Sequence, residues 1–286
     1  MTFFIAEVSS NHSKDIDRAL KFIDVASEIG CDAVKFQLFK LDELYAPEIL
    51  KNSKMHRSRE KWELPVEFIP ALSKRCKEKN IQFGCTPFYI NAVSQLKDHV
   101  DFFKIASYEL LWDDLLITCA KTEKPVIIST GMADLLEIEH AVDVLRYHRC
   151  EPKILHCLSA YPADYKEANL SAIETIRKST NCEVGWSDHT VDPGVVHRVV
   201  HKWDAKIIEL HLDLDGKGEE YNAGHCWLPD KTKTLIEEIR HSEVADGDGI
   251  KQPRPSEMSD RLWRADSSDG LRPFKSIRDS FPKDSD

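Results

Sequence analysis

Short apolar segments alternate with amphipathic segments of helical period along most of this chain. Eight apolar segments end in polar residues and read as β-strands, at 3–5, 33–38, 82–85, 102–105, 125–129, 153–157, 183–187 and 207–212. Each is followed by a segment with helical spacing, at 15–29, 73–79, 89–96, 111–121, 135–147, 169–179, 192–202 and 230–241. Because alternating strands and helices form parallel sheets, these pairs predict an α/β fold, a closed TIM (β/α)8 barrel.

An open, doubly wound sheet is the structural alternative to a closed barrel. Such sheets usually carry a glycine-rich turn after the first strand. Here the first turn, at 7–12, reads Glu-Val-Ser-Ser-Asn-His and contains no glycine. This difference favours the barrel.

The predicted strands carry their polar side chains on one face. In the last strand Glu209 and His211 alternate with Ile208 and Leu210. Successive side chains of a strand point to opposite faces, so the polar set is expected in the barrel lumen. By the same rule Lys35 faces the lumen, where a charge needs partners or a solvated site.

Two regions depart from the strand–helix rhythm. The segment 40–63 is long and charged, and it reads either as a lid or binding loop or as a solvated insertion. The segment 244–286 is rich in Gly, Pro, Ser and Asp. The predicted organisation is a catalytic barrel domain at 1–243 and an irregular C-terminal extension at 244–286.

Composition excludes several function classes. Lys and Arg number 39 against 49 Asp and Glu, a net charge of −10, so we expect no nucleic-acid partner, since phosphate-backbone affinity depends on basic residues. No apolar stretch approaches the roughly 20 residues of a membrane span, and the N-terminus lacks the basic segment of a signal peptide. The eight cysteines form no Cys-x-x-Cys pair, which favours reduced, buried thiols in a cytoplasmic protein.

Polar residues collect at the carboxyl ends of the predicted strands, where α/β barrels build their active sites. Two of them are lysines, and several of the others are hydroxyls. Together they can hold a phosphate or a carboxylate through charge-assisted hydrogen bonds, although each lysine alone also reads as a solvated rim charge. The set comprises Glu7, Lys35, Gln37, Thr86, Lys104, Ser107, Ser129, Ser159, Tyr161, Ser187, His189 and His211.

Two histidines end neighbouring strands at this mouth. His189 and His211 suit a divalent ion bound by imidazole and oxygen ligands. With no thiolate nearby in sequence, manganese or magnesium is favoured over structural zinc. The alternative is that each histidine is a hydrogen-bonded core residue, and the pattern alone leaves both interpretations open.

Seven ordered motifs resemble those of the sialic acid synthase family, the phosphoenolpyruvate-dependent nonulosonate synthases. Each motif ends a predicted strand, and the similarity runs from residue 3 to about residue 240. The motifs are AEVSSNH (6–12), DAVKFQ (32–37), CTPF (85–88), FKIASYE (103–109), ISTGM (128–132), LHCLSAYP (155–162) and GWSDHT (185–190).

The resemblance implies a metal-dependent condensation. Carbon 3 of phosphoenolpyruvate attacks the open-chain aldehyde of an N-acetylated hexosamine, water adds at carbon 2, and phosphate leaves. The product is a nine-carbon 2-keto acid of the sialic acid type, used in surface glycans. A divalent cation, Mn²⁺ first and Mg²⁺ or Co²⁺ as alternatives, polarises the aldehyde oxygen.

The resemblance also implies roles for individual residues. Glu7, Glu109 and His189 are expected to be catalytic, with Glu7 near the acceptor sugar and Glu109 a second acid. His189 and His211 are expected to hold the metal. The residues expected to bind phosphoenolpyruvate, or to lie beside it, are Lys35, Gln37, Thr86, Lys104, Ser107, Ser129, Ser159, Tyr161 and Ser187.

The chain departs from the family pattern in several places. Ser159 stands where an asparagine is usual, Leu210 replaces an arginine, and the segment 213–227 diverges from the usual acceptor-binding loop. The family's C-terminal antifreeze-like domain has no counterpart after a linker-like segment at 248–257. That domain supplies an arginine to the partner of a swapped dimer, so Arg264 or Arg272 is expected to substitute, and a homodimer remains open.

Two further interpretations compete with the synthase. One is another metal-dependent barrel aldolase or lyase that uses a related phosphosugar. The other is a non-catalytic barrel retained for glycan binding. Phosphate release only in the presence of phosphoenolpyruvate distinguishes the synthase from the aldolase or lyase. Turnover assays across N-acetylhexosamines distinguish it from the non-catalytic barrel.

Overall fold

The computed structural model describes residues 1–281. All the strands of its closed barrel are parallel and pair in chain order, and the last pairs with the first. They are β1 Phe3–Glu7, β2 Ala33–Leu38, β3 Gln82–Pro87, β4 Phe102–Ile105, β5 Val126–Ser129, β6 Lys153–His156, β7 Val184–Asp188 and β8 Ile207–His211. The predicted (β/α)8 barrel is confirmed, with small shifts at the strand ends.

A main helix follows each strand, and the predicted helical segments are all present. The helices are α1 Ile16–Glu28, α2 Ile69–Lys79, α3 Ile90–Leu96, α4 Asp113–Ala120, α5 Leu135–Tyr147, α6 Ala172–Thr180, α7 Pro193–Trp203 and α8 Pro229–Ala245. Asp15 and Asp192 cap α1 and α7 by accepting backbone N–H groups of the first turn. Such caps satisfy donors that have no partner inside the helix.

The apolar core has two parts. The larger part lies between the strands and the surrounding helices. The smaller fills the lower lumen with Ile5, Ala33, Phe102, Ile127, Leu155 and Ile207. Gly84 admits the Phe102 ring, because a Cβ at Gly84 would lie 2.2 Å from that ring.

The strand register places charged residues directly above this apolar floor. Glu7 pairs with Lys35 on one side and with His211 on the other. On the opposite side of β8, Ser187 pairs with Glu209. Since Ile5 and Ile207 occupy the floor, alternation along β1 and β8 brings Glu7 and Glu209 into the lumen one layer higher.

The segment 40–63 after β2, which the sequence predicts to be a long charged loop, contains short helical elements. Its role as a lid, a binding loop or a solvated insertion stays a prediction. The segment forms short helices at Leu41–Leu44, Pro47–Asn52 and Lys54–Arg57, followed by a 3₁₀ turn at Ser58–Trp62. No helical period is visible in this charged segment, because each helix is only one or two turns long and buries few side chains. Its end contacts the loop after β8, where Trp62 Nε1 donates to Glu219 Oε2 at 3.2 Å.

The chain divides into a compact unit from Met1 to Ser242 and a second that begins at Glu243. The second unit is irregular except for short helical segments at Pro255–Glu257, Met258–Arg261 and Lys275–Arg278. Residues 282–286 of the predicted tail lie outside the described residues. Within residues 1–281, no helix combines the length and apolarity required to span a bilayer.

Candidate active site

A buried ion pair lies at the centre of the lumen. Lys35 Nζ is 2.6 Å from Glu7 Oε2, and both side chains are almost fully buried. Gln37 Nε2 donates to the other oxygen of Glu7 at 2.7 Å. The strands thus fix Glu7 through two neighbours on β2, both of which belong to the predicted site.

Lys35 also links the hydroxyl and acidic residues around it. Its ammonium donates to Thr86 Oγ1 at 3.1 Å and lies 3.8 Å from Glu209 Oε2. Ser187 Oγ in turn donates to Glu209 Oε1 at 2.9 Å. One connected network therefore runs from β1 through β2 and β3 to β8 and β7.

The second lysine of the lumen lies on β4. Lys104 Nζ donates to Ser129 Oγ at 2.5 Å and to the Ile105 carbonyl at 2.9 Å. Lys104 is 2% exposed and its partner Ser129 is 4% exposed, so Lys104 is not the solvated rim charge that the sequence left open. A buried ammonium whose partners, a hydroxyl and a backbone carbonyl, are both uncharged can bind an anionic ligand.

Burial and neighbouring charges shift the pKa values of these groups in different directions. Burial raises the pKa of Glu7 despite the ammonium of Lys35. Burial opposes ionisation of Glu209 as well, but Lys35 and Lys104 together outweigh it and lower the Glu209 pKa. Burial lowers the pKa of Lys104, while Glu209 and Glu7 outweigh burial and raise that of Lys35. The lumen therefore holds two acids with different proton affinities.

Two of the predicted phosphoenolpyruvate ligands, Ser107 and Ser159, lie around Gly131. Ser107 Oγ accepts the Gly131 N–H at 3.0 Å, and a Cβ at Gly131 would lie 2.2 Å from Ser159 Oγ. Ser159 Oγ is buried without a hydrogen-bond partner. A buried hydroxyl without a partner is costly, and an anionic ligand would satisfy it.

The two predicted metal histidines lie side by side at the mouth. The ring centroids of His189 and His211 are 5.2 Å apart, and the Tyr161 ring is 4.2 Å from that of His189. His189 Nδ1 donates to the Leu158 carbonyl at 2.5 Å, and burial lowers the His189 pKa to about 3. The neutral ring therefore carries its proton on Nδ1 and leaves Nε2 with a lone pair.

The remaining predicted catalytic acid, Glu109, is largely buried near Lys104. Burial raises the Glu109 pKa from 4.5 to about 7, although the charge of Lys104 opposes the shift. Its Oε2 atom is buried and has no hydrogen-bond partner. A carboxyl group with a pKa near neutrality can exchange protons at working pH.

The family model described as the NeuB family matches residues 22–251, most of the chain. The chain belongs to the NeuB family. The predicted resemblance is confirmed, and the chain is a carbon–carbon bond-forming synthase.

Relatives of this chain align with it over most of its length. An N,N'-diacetyllegionaminic acid synthase of Campylobacter jejuni is 36% identical, over 90% of this chain and 81% of that protein. An uncharacterized protein of Methanocaldococcus jannaschii is 39% identical, over 90% of this chain and 75% of that protein. The crystal structure of an N-acetylneuraminic acid synthetase of Leptospira borgpetersenii, in complex with citrate, superimposes with a TM-score of 0.80 at 31% identity. That match covers 91% of this chain and 90% of the other.

The donor chemistry at the mouth of this NeuB barrel fits a divalent cation. The other nitrogen of each ring is held, His189 Nδ1 by Leu158 and His211 Nδ1 by Glu220 Oε2 at 3.2 Å. Holding one ring nitrogen fixes the orientation of the second, which is the usual arrangement around metal-bound histidines. The assignment of His189 and His211 as ligands stays a prediction.

Several residues of the site were missed because they follow β8 in a segment that diverges from the family motifs. Glu220, His225 and Cys226 lie beside His211. Their contacts depend on the return of the chain to the barrel, where Trp227 N donates to the His211 carbonyl. The sequence signal that could have revealed these residues is the adjacent pair His225 and Cys226, which follows the strand-end histidine His211 in the chain.

Asp188 holds that returning segment against β7. Its Oδ2 accepts Trp227 Nε1 at 2.9 Å, and its Oδ1 accepts Trp186 Nε1 at 3.0 Å. Asp188, the residue before His189, therefore accepts a hydrogen bond from each of two indoles. The tail arginines, Arg264 and Arg272, lie in the second unit, and their substitution for the family arginine stays a prediction.

Proposed function

We propose that this chain joins phosphoenolpyruvate to the aldehyde of an N-acetylated hexosamine and releases phosphate. The product is a sialic-acid-like 2-keto acid for surface glycans, made in the cytoplasm. The named NeuB relatives support the reaction class. The observation that carries the proposal is the convergence of Lys35, Lys104 and two histidines on one barrel mouth.

The reaction balances without a redox partner. A bond forms between carbon 3 of phosphoenolpyruvate and the aldehyde carbon, and the aldehyde oxygen gains a proton. Water adds its oxygen to carbon 2 and loses a proton. The bond from carbon 2 to the bridging oxygen then breaks, the phosphate leaves with the electron pair and takes the proton of the new hydroxyl, and the ketone forms.

The lysines and hydroxyls bind and orient the anionic substrate. Lys104 has no carboxylate within ion-pair distance among the described residues, so it can neutralise a phosphate or carboxylate oxygen. Ser159 and Ser107, on either side of Gly131, can donate to the same group. Fixing the substrate above the apolar floor holds carbon 3 toward the mouth, where the aldehyde enters.

The acids move the two protons. Glu7, with a raised pKa and fixed by Lys35 and Gln37, is proposed to protonate the sugar oxygen. Glu109, whose pKa is about 7, is proposed to accept the proton of the attacking water. A divalent cation, Mn²⁺ as the first expectation, would be held by His189 and His211 and would polarise the aldehyde oxygen.

The test is a phosphate-release assay across N-acetylhexosamines with phosphoenolpyruvate and Mn²⁺. We expect phosphate only when both substrates are present, with an equal amount of 2-keto acid. Lys104→Met should lower kcat/KM at least about 10³-fold, because it removes a charge that binds the phosphate or carboxylate in the transition state. The surface variant Lys153→Met serves as the control and should retain full activity.

The alternatives give different results in the same assay. An aldolase or lyase would cleave a keto acid without releasing phosphate from phosphoenolpyruvate. A glycan-binding barrel would bind amino sugars and release no phosphate with any of them. Either result with folded protein would exclude the proposed synthase.

A further inference from the structure

Four groups able to bind a metal meet beside the barrel mouth. One donor atom from each of His211, Glu220, His225 and Cys226 lies within 4.8 Å of the others. Glu220 Oε2 is their common neighbour, 3.2 Å from His211 Nδ1, 3.5 Å from His225 Nε2 and 4.0 Å from Cys226 Sγ. Neighbouring ligands of one tetrahedral ion have similar separations, because each bond is about 2.0–2.3 Å long.

The loop after β1 donates hydrogen bonds to two of these groups, Glu220 and Cys226. Glu220 Oε1 accepts both the backbone N–H and the hydroxyl of Ser10, at 3.0 Å and 2.5 Å. Asn11 Nδ2 donates to Cys226 Sγ at 3.6 Å and to the Leu212 carbonyl at 2.9 Å. Glu220 Oε2 therefore faces the two imidazoles while its other oxygen is satisfied. Such outer contacts orient metal ligands and lower the cost of assembling them.

Three of the four groups are buried, and one buried atom lacks a partner. His211, His225 and Cys226 are 7%, 6% and 3% exposed, and His225 Nδ1 has no hydrogen-bond partner. The segment that supplies three of the four groups is fixed at its start as well. Arg18 donates to Asp213, which also accepts the backbone N–H groups of residues 217 and 218. A segment anchored at both ends can hold its ligands in place before an ion arrives.

We propose that His211, Glu220, His225 and Cys226 form a thiolate-containing site for a transition-metal ion of the Zn²⁺ or Co²⁺ class. Imidazole, carboxylate and thiolate together favour these ions over Mn²⁺ or Mg²⁺. The sequence argument against such an ion assumed that no thiolate lies near the histidines. That argument considered neighbours in sequence, whereas the fold brings Cys226 close to His211 in space.

The inference goes beyond the condensation chemistry and shares one residue with it. A neutral imidazole has a single lone pair, so His211 can bind an ion through Nδ1 or through Nε2 but not through both. The four-ligand site uses Nδ1, whereas the proposed catalytic ion uses the other nitrogen. An ion in the four-ligand site would therefore withdraw His211 from the catalytic pair, and Zn²⁺ would compete with Mn²⁺.

The test is titration of the metal-free full chain with Co²⁺, followed by absorption in the near ultraviolet, where thiolate-to-cobalt charge transfer appears. We expect a band that saturates at one ion per chain. Cys226→Ser should abolish the band, and His225→Gln should weaken Co²⁺ binding at least about 10-fold. Cys157→Ser, which changes another buried thiol of the barrel, is the matched control and should retain the band.

Two results would overturn the proposal. One is a wild-type chain that gives no charge-transfer band at saturating Co²⁺; the other is a band that survives in Cys226→Ser. If Cys226→Ser fails to fold, His225→Gln and Glu220→Gln decide, since both keep the thiol. Lys104→Met should keep the band while losing synthase activity, so failure of this site and failure of the proposed function are separable.

Discussion

The ammonium of Lys35 lies 2.6 Å from the carboxylate of Glu7 inside the barrel lumen. Both side chains are almost inaccessible to solvent. Two charges are costly to bury, and their attraction offsets that cost only when geometry and further hydrogen bonds are good. Thr86, Gln37 and Glu209 supply those additional contacts. The ion pair is thus part of a connected polar network, at the position where we propose that the substrate binds.

Removal of the lysine should destabilise the barrel. We expect Lys35→Met to lower the free energy of unfolding by about 3–5 kcal/mol, because Glu7 would be left buried without its cation. Lys153→Met breaks the half-exposed pair with Glu183 and should cost about 1 kcal/mol or less. Denaturant unfolding of both variants measures this difference, and equal losses would contradict the account.

Glu109 should make stability depend on pH. Its pKa is raised from 4.5 to about 7 in the folded chain, so the folded state binds more protons than the unfolded state between those values. Its contribution is full below 4.5 and is lost as pH rises through about 7. The unfolding free energy of wild type minus that of Glu109→Gln should therefore fall across this range.

Glu174 is the matched control, because its pKa is shifted in the opposite direction. Hydrogen bonds from Lys178 and Arg177 lower the pKa of Glu174, so its contribution is lost only as pH falls below the usual carboxyl range. The wild type minus Glu174→Gln difference should be flat where the Glu109 difference falls. A flat Glu109 difference would mean that this acid is not held protonated by burial.

Gly131 should tolerate no side chain. A Cβ there would lie 2.2 Å from Ser159 Oγ and 2.9 Å from Ser107 Oγ. We expect Gly131→Ala to cost about 1–3 kcal/mol and to raise the KM for phosphoenolpyruvate at least about 10-fold, because both serines must move. Gly194→Ala meets nothing closer than 3.1 Å and should leave that KM unchanged. A wild-type KM for Gly131→Ala would remove these serines from the binding site.

The Asp188 anchor should matter for stability. Trp227→Phe removes the indole that donates to Asp188 Oδ2 at 2.9 Å, and we expect a loss of about 1–3 kcal/mol in unfolding free energy. Trp263, half exposed in the second unit, offers a control, and Trp263→Phe should change stability by no more than about 0.5 kcal/mol. Similar losses for the two variants would show that the hydrogen bond to Asp188 contributes little.

The barrel and its inward-facing charges were predictable because their signals are local. Alternation along β8 alone placed Glu209 and His211 on one face, and strand order then brought Lys35 next to Glu7. The short helices of segment 40–63 were missed because they bury too little apolar surface to impose a helical period. The cluster of possible metal ligands around Glu220 was missed because it forms only when the loop after β8 returns to the barrel. The spacing of residues in the sequence does not indicate where that loop returns.

The most direct test of the proposed synthase follows the bridging oxygen of phosphoenolpyruvate. When that atom carries a heavy-oxygen label, attack of water at carbon 2 predicts that all of the label leaves with the phosphate. The 2-keto acid then takes its carbonyl oxygen from water. Label retained in the keto acid would show cleavage of the phosphorus–oxygen bond and would contradict the account.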